Sequence, residues 1–174
     1  MANYSERLKN LDNKKLIDVV KNYRQYGYDE NLRASAISIL DARGITKEQL
    51  ELTGNFDNKA YDYANQLYNS FSKNSKIAFI LFLIILSTNI VIPILAVNSE
   101  TLSILVLIAN WVVLFGYFIF LIKSFLDQNR FYKTINQDYA TEGALMYLFL
   151  GMPFYIIMYF YFKKQMKEKI REIK

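Results

Sequence analysis

Acid–base or nucleophilic chemistry in this chain would have to come from carboxylates, lysines and tyrosines, because its 174 residues include no cysteine and no histidine. Those absences exclude thiolate nucleophiles, Ser-His-Asp and Cys-His triads, and metal sites built on Cys or His. Toward the C-terminal half, carboxylates and bases gather at Asp127, Asp138 and Glu142 with Lys123, Arg130 and Lys133. No motif joins them, and an ion-pair network is the simpler use of such a mixture. No Gly-rich phosphate loop accompanies them: Gly27, Gly44 and Gly54 stand singly, as helix punctuation. The expectation is a non-enzymatic protein without catalytic residues, cofactor or metal.

Two polar side chains stand out for where they lie. Asn89 and Asn110 each sit inside an apolar run, Ile77–Val97 and Leu102–Ile122, which are 21 residues long and carry no charge. The turn between the runs is only Asn98-Ser99-Glu100-Thr101, so an antiparallel hairpin puts both carboxamides at one depth, roughly 12 Å below the outer ends. An unpartnered carboxamide in hydrocarbon costs several kcal/mol. The pair therefore reads first as an interhelical hydrogen bond, and second as part of a polar path. Ser87 and Thr88 add polarity, though their hydroxyls can bond back to their own helix.

A third apolar run, 143–162, completes the set. About 20 apolar residues at 1.5 Å each cross the hydrocarbon of a bilayer. A chain of this size cannot bury three such helices in its remaining polar mass, so the reading is an integral membrane protein. Its near-neutral mean hydropathy averages two unlike halves. No cleavable signal peptide is expected, since the first 25 residues are charged and lack an apolar core.

The basic residues give the orientation. Twelve precede the first run, three lie at 123–142, six follow the third run, and none lies in the 98–101 turn. Lys and Arg near membrane ends stay on the cytoplasmic side. The expected organisation is a cytoplasmic helical domain at 1–76, a transmembrane hairpin at 77–122, a cytoplasmic connection at 123–142, a third membrane segment at 143–162 and a basic cytoplasmic tail at 163–174. The third segment is broken at Gly151 and Pro153, leaving flanks too short to span. A re-entrant or interfacial segment is favoured there over a kinked full span. The basic tail carries Lys163, Lys164, Lys167, Lys169, Arg171 and Lys174, with Phe162, Met166, Ile170 and Ile173 as an apolar stripe suited to anionic lipid. Phe125, Tyr132, Ile135 and Tyr139 make another stripe continuing the second run.

The fold class is all-α. In the N-terminal region, Leu8 and Leu11, then Leu16, Ile17, Val19, Val20 and Tyr23, recur at helical spacing and stop near Gly27. Asp29 is expected to cap a helix ending at Gly44, Thr46 with Gln49 to form a capping box, and Asp57 to cap a helix running unbroken through Ser72–Lys76. Charge in 1–76 is 12 basic against 10 acidic with signs interspersed, which excludes a phosphate-tracking stripe and hence nucleic acid. The functional expectation is an accessory or scaffold subunit of a bacterial inner-membrane complex. Its partners would be other membrane proteins or copies of itself, together with anionic lipid. The alternatives are a small self-associating channel or transporter and a membrane-surface remodelling protein.

Overall fold

A computed structural model of the chain describes residues 2–95, 100–135 and 154–173. They form seven helices: α1 (Ala2–Lys9), α2 (Asn13–Asn22), α3 (Glu30–Ala42), α4 (Lys47–Leu52), α5 (Lys59–Leu95), α6 (Glu100–Thr134) and α7 (Tyr155–Glu172). Among the described residues there is no strand, so the architecture is all-α. Two compact units result, Met1–Asp62 with Arg171–Lys174, and Tyr63–Ile170. Hydropathy changes at residues 76/77, but the units divide earlier, because α5 packs on α6 from Ser70 onward.

The first unit is built from a repeated joint. Helices need acceptors for their first N–H groups and donors for their last carbonyls. Asp12 accepts from the Lys15 amide at 2.8 Å and Asp29 from the Leu32 amide at 2.8 Å. Thr46 and Gln49 complete both halves of a capping box. At the other helix ends, Gly27, Gly44 and Gly54 take φ of 71°, 84° and 68°. Behind Gly44, the Ile45 amide reaches back to the Leu40 carbonyl and the Gly44 amide to Asp41, both at 2.9 Å, a Schellman closure. Gly27 and Gly54 are closed the same way, through Tyr28 to Tyr23 and Asn55 to Leu50. Gly44-Ile45-Thr46 therefore ends one helix and starts the next within three residues, whereas a further turn over 23–27 separates the end of α2 at Asn22 from the Asp29 cap.

Two expectations are corrected here. The apolar series from Leu8 to Tyr23 is two helices rather than one, because Asp12 caps α2 and interrupts it. Asp57 does not cap α5. Asn58 does, its Oδ1 accepting from the Tyr61 amide at 3.0 Å, while Asp57 is drawn away to Arg33 at 2.7 Å. The core of the unit comprises Leu8, Leu16, Val19, Val20, Ala36, Leu40 and Leu50, with Leu11, Ile17, Leu32 and Phe56 packed around it.

The second unit rests on α5 and α6. α5 is 37 residues of uninterrupted helix that pass through Pro93, and α6 is 35. Contacts run in opposite order along the two: Asn74 meets Asp127, Phe82 meets Tyr117 and Thr88 meets Asn110. That is an antiparallel hairpin in constant register. α7 packs alongside both. Tyr155 meets Tyr117 and Tyr132 meets Gln165, so α7 runs in the same direction as α6. Along α5 the order reverses, with Phe82 against Tyr155 and Phe79 stacked on Tyr159 at 4.8 Å. One ring from each helix, Phe82, Tyr117 and Tyr155, closes the middle of the bundle with centroids 5.5–5.9 Å apart. Such offset and edge-on pairs add about 0.5–1.5 kcal/mol each beyond area burial.

Candidate functional site

The polar groups of the three-helix unit lie in two layers. One layer is the Thr88–Asn110 pair. The Thr88 hydroxyl shares its proton between the Ile85 carbonyl at 3.0 Å and Asn110 Oδ1 at 3.1 Å. Asn89 does not reach Asn110. Successive helical residues diverge by about 100°, so Asn89 points outward and its Nδ2 donates to the Ile85 carbonyl at 2.8 Å. The interhelical bond thus runs through the threonine, the residue whose hydroxyl was expected to turn back on its own helix.

A second, larger layer lies where the apolar runs of α5 and α6 give way to charge. Asp127 is buried, and its Oδ2 accepts from Ser70 Oγ at 2.7 Å and Asn74 Nδ2 at 2.8 Å. Ser75, Ser124 and Gln128 are buried in the same unit, with the Tyr155 hydroxyl donating to the Ser75 carbonyl at 3.3 Å. Among the described residues the Gln128 amide oxygen has no hydrogen-bond partner. Tyr132 donates to Gln165 Oε1 at 2.6 Å. Asp127 therefore binds neutral donors from α5, where an ion-pair network with its basic neighbours was expected. Asp138 and Glu142 lie outside the described residues.

The remaining candidates divide between surface and core. Gly151, Pro153 and Lys174 lie outside the described residues, as does Tyr139. Lys164, Lys167 and Arg171 are exposed on α7, while Lys163 and Lys169 are half-buried. Phe162, Met166 and Ile170, expected as a lipid-facing stripe, are buried inside the protein. α7 joins the last residues of the third apolar run and the basic tail into one helix, so the tail's apolar face packs where that of Tyr155 and Tyr159 does. Trp111, 55% exposed, faces outward with its ring 6.3 Å from Phe115.

α5 and α6 are both long and apolar enough to cross a membrane, and only 22% and 11% of their most apolar stretches are buried. Ile108, Val112, Phe115, Ile119 and Ile122 of α6 are all exposed. A core helix of a soluble domain hides such residues.

The first unit has its own polar centre. Arg33 is buried between the rings of Tyr23 and Phe56, at 4.5 and 4.1 Å, and donates to the Phe56 carbonyl at 2.8 Å and Asp57 at 2.7 Å. Asn22 and Asn58, both buried, share a 2.6 Å bond. Burial, then the Glu30 carboxylate, pushes the Tyr23 hydroxyl up. The Asp18 carboxylate, accepting from Tyr26 at 2.7 Å, does the same to Tyr26. Glu30 is held below the usual carboxylate range, chiefly by its bond from Tyr23. Two open clefts of about 560 and 530 Å³ meet at Lys21, and each mixes acidic with basic side chains. Among the described residues no group of His, Cys, Asp or Glu is arranged to hold a metal. Compared with known proteins, the chain matches no family model, no curated protein and no solved structure.

Proposed function

We propose that this chain is an integral membrane protein that acts by contact, as a non-enzymatic accessory or scaffold subunit of a bacterial inner-membrane complex. α5 and α6 form the spanning hairpin, and the N-terminal unit and the basic residues lie on the cytoplasmic side. The observation that carries the reading is the exposure of large aliphatic and aromatic side chains along two helices of spanning length. Such a surface is stable only against lipid or a partner. The course of α7 supports a re-entrant or interfacial third segment. Its basic half lies toward the Tyr132 end of α6, the end that carries Lys123, Arg130 and Lys133, in keeping with retention of basic residues on one side.

A channel would need a polar path, yet the polar groups at Thr88 and Asn110 are engaged with each other. A contact role suits that arrangement better. A photo-cross-linking residue at Val112 or Phe115, activated in native membranes, tests the proposal. Cross-linking to one membrane protein in fixed proportion is the expected result. A protein that resists neither carbonate nor high-salt washing, or that extracts as a monomer cross-linked only to lipid, would defeat it.

A further inference from the structure

We propose that Lys76, Lys123 and Lys163 form a collar that binds the phosphate groups of anionic phospholipids, at the edge of the hydrocarbon layer; this rests on the membrane reading above. Each lysine adjoins an apolar run: Lys76 precedes 77–97, Lys123 follows 102–122 and Lys163 follows 143–162. Contact register brings the three to one level. Along α5, Lys76 lies between Phe82, which meets Tyr117, and Asn74, which meets Asp127, and Lys123 falls midway between those partners on α6. Phe79 stacks on Tyr159, so three residues down α5 and four along α7 lead to Lys76 and Lys163. Three helices thus change from apolar to cationic at one level. Packed helices stand about 8–10 Å apart, the spacing of neighbouring headgroups.

Two of the three side chains, those of Lys123 and Lys163, are disposed for a ligand on the apolar side. Helical side chains lean toward the N-terminus of their helix. On α6 and α7 that direction leads back to the apolar runs. The Lys123 ammonium lies 5.4 Å from the Phe120 ring centroid, and the Lys163 ammonium 5.3 Å from that of Tyr159, whose hydroxyl it meets at 3.3 Å. Lys76 is exposed on α5 and leans the other way. No carboxylate lies within ion-pair distance of any of the three among the described residues. The nearby carboxylate on α6, Asp127, is occupied by Ser70 and Asn74. Lys123 and Lys163, held against rings at the edge of hydrocarbon with no counter-charge among the described residues, call for an anion that lives at that edge. A lipid phosphate does, whereas a soluble anion does not.

The single tryptophan provides the readout. Trp111 is exposed and lies twelve residues, about 18 Å, along α6 from Lys123, within reach of acyl chains near the bilayer centre. The full-length protein is reconstituted in phosphatidylcholine bilayers containing either brominated phosphatidylglycerol or brominated phosphatidylcholine, and quenching of Trp111 is compared. Stronger quenching by the anionic lipid is expected, with up to about fivefold preference per lysine. Lys76→Gln, Lys123→Gln and Lys163→Gln combined should bring the preference to unity while quenching by phosphatidylcholine persists. The triple Lys→Arg variant should retain the preference. Equal quenching of the wild type by both lipids, or a preference surviving the triple Gln variant, would overturn the collar. So would a preference abolished by inorganic phosphate but not by sodium chloride of equal ionic strength, since the ligand would then be a free anion. Absence of quenching by either lipid defeats the membrane reading itself, and the collar with it.

Discussion

Thr88 and Asn110 join α5 to α6 by a 3.1 Å hydrogen bond, while Asn89, next to Thr88, donates to Ile85 of its own helix. The adjacent asparagine is therefore energetically unlike the paired one. Asn110→Leu should weaken the hairpin by about 0.6–2 kcal/mol, the range for polar bonds between membrane helices. Asn89→Leu should change it little. Thermal unfolding in mild detergent, followed by circular dichroism, separates the two variants; equal losses would contradict the assignment.

The buried carboxylate of Asp127 is held by two neutral donors, Ser70 and Asn74. Truncation to alanine leaves both donors unanswered and should cost about 1–3 kcal/mol. Asp127→Asn keeps an acceptor in place and should cost less. The order of the two melting temperatures tests whether the side chain acts as an acceptor or only as bulk.

Arg33 combines a planar stack with two close acceptors, a geometry that lysine cannot reproduce. Arg33→Lys should therefore lose about 1.5–3 kcal/mol, the value of hydrogen bonds to a charged group. Hydrogen exchange should quicken in α3 and in the Phe56–Asn58 segment. A variant exchanging like the wild type would show that the stack contributes little.

Alkali should loosen the first unit. Tyr26, through its bond to Asp18, and Tyr23, through burial, both ionise above the ordinary tyrosine value. Folding therefore favours their protonated forms. That contribution is complete below about pH 10, where unfolded tyrosines titrate, and is lost as pH rises through the higher folded values. Denaturant midpoints measured at pH 9 and pH 11 should fall, and Tyr26→Phe should shrink the fall.

Local chemistry was the most legible part of the sequence. Gly44 was readable as a stop, and Thr46 with Gln49 as a start, because caps act over three or four residues; α2 instead ends at Asn22, one turn before Gly27. Asp57 was misread as a cap because its true partner, Arg33, comes from a different helix and from a site formed by Tyr23 and Phe56. The apolar lengths of α5 and α6 were equally plain. Their packed faces were not, since nearly every residue in those runs is apolar and periodicity marks no side. Phe82, Tyr117 and Tyr155 therefore gave no signal of their meeting. Asp127 sat among lysines and arginines in sequence, and register alone delivered it to Ser70 and Asn74.

The two units hold themselves together with different kinds of polar contact. Exposed ion pairs such as Lys15–Asp12, Arg24–Asp62 and Lys47–Glu51 belong to the first. In the second, Ser70–Asp127, Asn74–Asp127, Thr88–Asn110 and Tyr132–Gln165 each include an uncharged partner. Ionic strength screens charge pairs near water over about 8–10 Å and leaves buried neutral bonds almost untouched. Rising salt is thus a selective solvent condition for this protein: it slackens the surface of the N-terminal unit and the lysine collar, and leaves the three-helix bundle as tightly joined as before.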